Sequence, residues 1–274
     1  MSVITHLYRL RGHFATLPRL QVPPGEMRGL EWSGKGKEKG AKDLKTIPAI
    51  PDQVFNPLMA ESLRWVDVYS DDIIRLLHLH DEASARFMLW NSNSYAGYIN
   101  EALVGFKFSK SPITQMPWRQ ELRHYEEVEE EDEEGSKKKY LTPLNVLRRL
   151  VSSLLAACSI VVQGFTGIRL SELLGLSETS GERGELPSCV SIRPGIDDLN
   201  DVFVMTGPIF KGAVGDNERE GQWVVGIRPM GTTFVPEVVR ALNTVLRVTE
   251  HWRELTDDRN VFINSKSHGN PPAN

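Results

Sequence analysis

Gln163-Gly-Phe-Thr-Gly-Ile-Arg-Leu-Ser-Glu-Leu-Leu-Gly-Leu176 decides how this chain is read. Gly164 and Gly167 bracket Phe165 and Thr166, and glycine turns a backbone without steric cost. The spacing predicts one helix stopped by Gly164 and a second opening at Thr166, which caps it. Ile168, Leu170, Leu173, Leu174 and Leu176 supply the apolar side of the second helix, and Gly175 weakens its end. Arg169 then falls in the first turn, where a cation works against the helix macrodipole. A bound anion resolves that conflict, because free N–H groups at a helix start and a guanidinium fork both suit a phosphate. Glu172, three residues on, lies on the same face and can hold the guanidinium in one orientation. Taken by itself, the motif fits a solvated arginine with a helical neighbour better than it fits an anion site.

On the N-terminal side, Thr142-Pro143 announces a helix, with threonine as cap and proline at the first helical position. Leu144, Leu147, Val151, Leu154, Leu155 and Cys158 make one face of it as far as Gln163. On the C-terminal side the period shortens. Cys189–Ile192, Val202–Met205 and Trp223–Ile227 are short, rich in β-branched or aromatic residues, and separated by Gly and Pro, which predicts a small antiparallel sheet. Lys211 lies between the last two strands, in the run Gly207 to Asn217. A further helix is expected from about Pro236 to Trp252, followed by the apolar piece Val261-Phe-Ile263.

Upstream, Asp52 caps a long amphipathic helix carrying Phe55, Leu58, Met59, Val66, Tyr69, Ile73, Leu76 and Leu77 and ending near His80. His78 and His80 are two apart and diverge on a helix, so they make a poor metal pair. Arg86 to Phe106 reads as a second helix. Pro112, Pro117 and the acidic Glu126 to Glu134, whose sign Lys137, Lys138 and Lys139 reverse, read as a hydrated boundary. The expected organisation is a basic, partly flexible segment over 1–46, a helical region over 47–125, a charged linker over 126–140 and a further domain over 141–274. The fold class is mainly α with a small antiparallel β-sheet.

The 274 residues suffice for two domains with cores of their own, and 40% apolar with 25% charged residues is ordinary for a globular protein. Cys158 and Cys189 are the only cysteines, so no disulfide framework or Cys-rich zinc site can be built. A cytoplasmic setting is the default. No signal pattern opens the chain, and the longest apolar run, Leu154 to Val162, is too short to span a bilayer. A net charge of −4 excludes a uniformly basic nucleic-acid binder, but basic residues outnumber acidic ones between Arg9 and Lys45, so a local basic face remains open.

Thr166-Gly-Ile-Arg-Leu-Ser-Glu-Leu-Leu-Gly-Leu176 resembles the first-arginine box of the tyrosine recombinases, the phage-integrase family. That box commonly reads Thr-Gly-(Leu/Met)-Arg-(Ile/Leu)-Ser-Glu-Leu-Leu, then a small or apolar residue and Leu. The likeness runs from about Thr142 to about Asn264 and is weaker upstream. It implies a partial tyrosine-recombinase catalytic domain preceded by a helical region. In the family a tyrosine attacks a phosphodiester of duplex DNA, arginines stabilise the anionic phosphorus centre, and a hairpin lysine protonates the leaving oxygen. Carried over, Arg169 matches the first arginine, Glu172 the acid that braces it, and Lys211, in Phe210-Lys-Gly212, the hairpin lysine. Double-stranded DNA is the implied partner, with self-association on DNA a further expectation. Neither membrane nor small-molecule cofactor is implied.

The rest of the family's catalytic set has no match. His251 and His268 are followed three residues on by Glu254 and Pro271, so neither forms a His-x-x-Arg pair. His6-Leu-Tyr-Arg9 has that spacing but precedes Arg169. Tyr8, Tyr69, Tyr95, Tyr98, Tyr125 and Tyr140 all precede it too, which leaves no nucleophile where the family needs one. The expectation is a DNA recombination and integration protein, truncated before the second catalytic half and inactive alone. The alternatives are a helix-turn-helix DNA-binding regulator built on the helices flanking Gly164 to Gly167, and a non-functional integrase remnant of marginal fold.

Overall fold

The computed structural model describes residues 50–88, 94–111, 114–132, 135–178, 186–196, 198–210, 219–256 and 259–263. The 1–46 segment, Lys211 and the tail from Asn264 lie outside the described residues. The chain divides into two compact units, 1–61 and 62–274. In the first, residues 52–61 form the opening turns of α1 (Asp52–Arg64), with Asp52 in its first turn.

In the second unit a π-helical turn, Trp65–Tyr69, leads into α2 (Ser70–Met88). The helix expected to end near His80 runs on because Ala83, Ser84 and Ala85 give it no reason to stop. The second expected helix is shorter, α3 (Tyr95–Leu103), capped where the Ser94 hydroxyl accepts from Gly97 N at 3.2 Å. Strands β1 (Glu126–Asp132) and β2 (Gly135–Leu141) then form an antiparallel hairpin. This corrects the linker assigned to 126–140. In the register Glu129 is the partner of Lys138 and Glu130 of Lys137.

Helix α4 (Pro143–Thr166) is central to the second unit, with Leu144, Val146, Leu147, Leu150, Val151, Leu154, Ala157, Cys158, Val161 and Val162 buried along it. By length and composition it is apolar enough to cross a bilayer, contrary to the reading of its apolar run, yet more than half of its most apolar window is buried inside the protein. It is followed by α5 (Leu170–Leu174), by β3 (Val190–Pro194), β4 (Asn200–Ile209) and β5 (Arg219–Pro229), which form one antiparallel sheet in that order, and by α6 (Glu237–Thr256). Ile73, Leu76, Ile99 and Leu103 from α2 and α3 share one core with Leu154, Val161, Phe203, Met205, Leu242 and Val245. The expected helical region and the domain after it therefore do not separate at 126–140. The fold is mainly α with small antiparallel sheets, as expected.

Thr142 has the extended backbone of a cap, but its side chain makes no capping bond. The donor exposed at the start of α4 is satisfied from a distance: Leu144 N donates to Asn100 Oδ1 of α3 at 2.9 Å. Asn100→Ala is expected to lower stability by about 1 kcal/mol, the usual worth of a cap, seen as a shift of the urea midpoint at unchanged slope.

Candidate phosphate-binding site at Arg169

The box folds differently in detail from the helix start that its glycines suggest. α4 continues through Gly164 and Phe165 to Thr166, because a helix tolerates an internal glycine at a penalty of about 1 kcal/mol. Gly167 ends it at φ 66°, a left-handed conformation in which glycine carries no steric penalty, and its N–H donates to Gln163 O at 2.8 Å. Thr166 serves the turn from the helix before it: its hydroxyl donates to Val162 O at 2.6 Å and accepts from Ile168 N at 3.2 Å. Ile168 is buried and anchors the crossing.

Arg169 is the N-cap of α5, with an extended backbone, rather than a residue of its first turn. Its N–H donates to Glu172 Oε2 at 3.0 Å and its Nη1 to Glu172 Oε1 at 3.1 Å. Glu172 therefore grips both the backbone and the guanidinium of one residue. The Glu172 side chain is 6% exposed and that of Arg169 53%, so the carboxylate is fixed in the protein while the guanidinium fork reaches solvent. The conflict between cation and macrodipole is resolved from within, since Glu172 already places an anion at the helix start. Any external phosphate is held by the guanidinium alone, because α5 is too short to contribute a dipole of its own. Five residues amount to about 7.5 Å of helix, which also leaves the helix-turn-helix alternative with little reading surface.

The exit of the box is pinned on two sides. A Cβ on Gly175 would come within 2.6 Å of Pro208, and one on Gly207 within 2.5 Å of Leu176, so these glycines let α5 lie directly on β4. Val261 N donates to Leu176 O, and Glu178 N to Arg259 O, both at 2.7 Å. The apolar piece Val261-Phe-Ile263 is thereby laid along the end of the box, with Val261 and Ile263 buried. Leu173 and Leu176 are fully buried, whereas Leu170 and Leu174 stand half exposed beside Arg169.

Arg169 and Glu172 are thus brought together as the sequence implies, and the position of Lys211 lies outside the described residues. No group of three or more His, Cys, Asp or Glu among the described residues is placed to hold a metal ion. Both cysteines are free and buried, and burial pushes the Cys189 thiol up to about 12, which keeps it un-ionised at neutral pH. The chain matches no family model, no curated protein and no solved structure.

One polar centre had no signal in the sequence. Asp72 on α2 is buried, yet accepts from Ser109 N at 2.6 Å, the Ser109 hydroxyl at 2.7 Å and the Trp118 indole at 2.7 Å, and pairs with Arg75. It ties the loop after α3 to α2. Trp118 in turn stacks on Tyr69 at 4.4 Å and meets Phe108 edge-on at 4.8 Å.

Proposed function

We propose that this chain is a DNA-binding protein of site-specific recombination and integration, of the tyrosine-recombinase type, which holds a backbone phosphate of duplex DNA through Arg169. The observation that carries the reading is the solvent-facing guanidinium of Arg169 locked by the buried Glu172. It stands on a box whose residues match the family's and whose neighbours follow the expected order of helix, box, three-stranded sheet and helix. A fixed fork of this kind suits two oxygens of one phosphate, because little rotamer freedom is left to lose on binding.

All six tyrosines precede Arg169, and without an attacking hydroxyl no covalent phosphotyrosine forms. The chain in hand therefore grips a phosphodiester without cutting it, in the reducing cytoplasm where Cys158 and Cys189 stay as thiols. Its partner is double-stranded DNA, on which copies of the chain can assemble.

Two measurements test this. Arg169→Ala is expected to weaken binding to a duplex about equally for unrelated base sequences, since a phosphate contact carries no sequence information. A nicked duplex incubated with the wild-type chain is expected to leave no protein-linked DNA on a denaturing gel. Unchanged affinity of the variant overturns the phosphate assignment, and a covalent band overturns the non-cleaving one.

A further inference from the structure

From Gly135 to Ser171 the sequence holds six basic residues and no acidic one, in a chain whose formal net charge is −4. Three of the six, Arg148, Arg149 and Arg169, lie on α4 or just after it. One face of α4 is core, and the opposite face carries Asn145, Arg148, Arg149, Ser152, Ala156, Ser159 and Gln163 at spacings of three and four. Asn145, Arg148, Arg149 and Ser152 are exposed and the others half-buried. A solvated helix face ordinarily mixes acidic and basic side chains. This one has no carboxylate along its whole length. Arg148 has no hydrogen bond or ion pair among the described residues, while Arg149 also interacts within the protein.

We infer that this face of α4 is a second contact surface for duplex DNA, with Arg148 and Arg149 on phosphates of the same duplex that Arg169 holds. The inference rests on the reading of Arg169 above. The occupant follows from charge: a helix face that is cationic at one end, bears no carboxylate of its own along its length and is followed in the chain by another cation at Arg169 fits a polyanion. The small side chains of Ser152, Ala156 and Ser159 let a bulky backbone come close. From Arg148 to Thr166 the helix rises roughly 27 Å, within one turn of B-form DNA at about 34 Å, so one short duplex can meet both ends.

The test is binding of the full chain to two unrelated duplexes of about 20 base pairs by fluorescence anisotropy, repeated over a range of salt concentrations. Arg148→Ala/Arg149→Ala is expected to lower the slope of log affinity against log salt by about one per arginine, for both duplexes alike. Ser152→Glu, which removes no contact within the protein, is expected to weaken binding by placing a carboxylate on the track. Arg86→Ala, an exposed arginine of α2, is the control and should leave the slope unchanged. Should the double variant keep the wild-type slope, or Ser152→Glu bind as tightly as wild type, the α4 surface is refuted. If Arg169→Ala weakens binding in the same series, the Arg169 assignment survives that refutation. Failure of the wild-type chain to bind any duplex removes both.

Discussion

Asp72→Ala is expected to destabilise the protein by about 3 kcal/mol, the upper end of what hydrogen bonds to a charged group contribute, because the lost carboxylate is buried and accepts from several donors. Truncation removes the acceptor shared by the Ser109 N–H, the Ser109 hydroxyl and the Trp118 indole N–H, and so releases the loop after α3 from α2. Chemical denaturation in urea measures the loss. The same carboxylate predicts a pH dependence. Burial, the largest single influence, pushes its pKa up, but the donors from Ser109, Trp118 and Arg75 together outweigh it and hold the group below the usual aspartate range. A group whose pKa is depressed by folding contributes stability that is present above its unfolded value and lost as pH falls through its folded value. The wild-type protein should therefore lose this contribution at pH below about 4, whereas Asp72→Ala lacks that part of the acid sensitivity. Equal acid sensitivity in both proteins would show that Asp72 contributes nothing through its charge.

Glu172→Ala has the next largest effect, expected at about 2 kcal/mol of stability, because a buried carboxylate accepts from both ends of Arg169 and charged hydrogen bonds contribute about 1.5–3 kcal/mol. The half-exposed guanidinium keeps the figure toward the lower end of that range. Glu172→Gln separates structure from function. Its amide oxygen can still accept from Arg169 N, so most of the stability survives, while the ionic hold on the guanidinium is lost. Duplex affinity should then fall about tenfold, since misplacing a positioned group carries a large penalty. Full affinity in a well-folded Glu172→Gln would mean that the fork needs no brace.

The elements legible in the sequence were those that carry their own punctuation. Thr142-Pro143 marked the start of α4, three β-branched runs marked the sheet, and the apolar period from Val238 to Leu246 marked α6. Arg169 and Glu172 were legible together because their pairing is local, three residues apart on one turn. What the sequence hid was either long-range or a matter of degree. Asp72 meets partners 37 and 46 residues away, and Asn100 caps a helix 44 residues on, so no window along the chain contains either bond. Gly164 was misread as a stop because one glycine only weakens a helix, whereas Gly167, in a left-handed conformation, ends it. The hairpin over 126–141 had a usable signal in the change from glutamate to lysine about Gly135, a sequence that pairs with itself when folded back.

In the pairing of β4 with β5 the register slips between Phe203 and Val204: Phe203 faces Gly226 while Val204 faces Val224, which leaves Val225 as an extra residue. The slip kinks the outermost ribbon of the sheet near its middle. A kinked border offers no straight row of amide and carbonyl groups on which a stranger's backbone could stack. Although Val224 and Ile227 on that border are open to water, the bulge is expected to disfavour the addition of another molecule's strand along it.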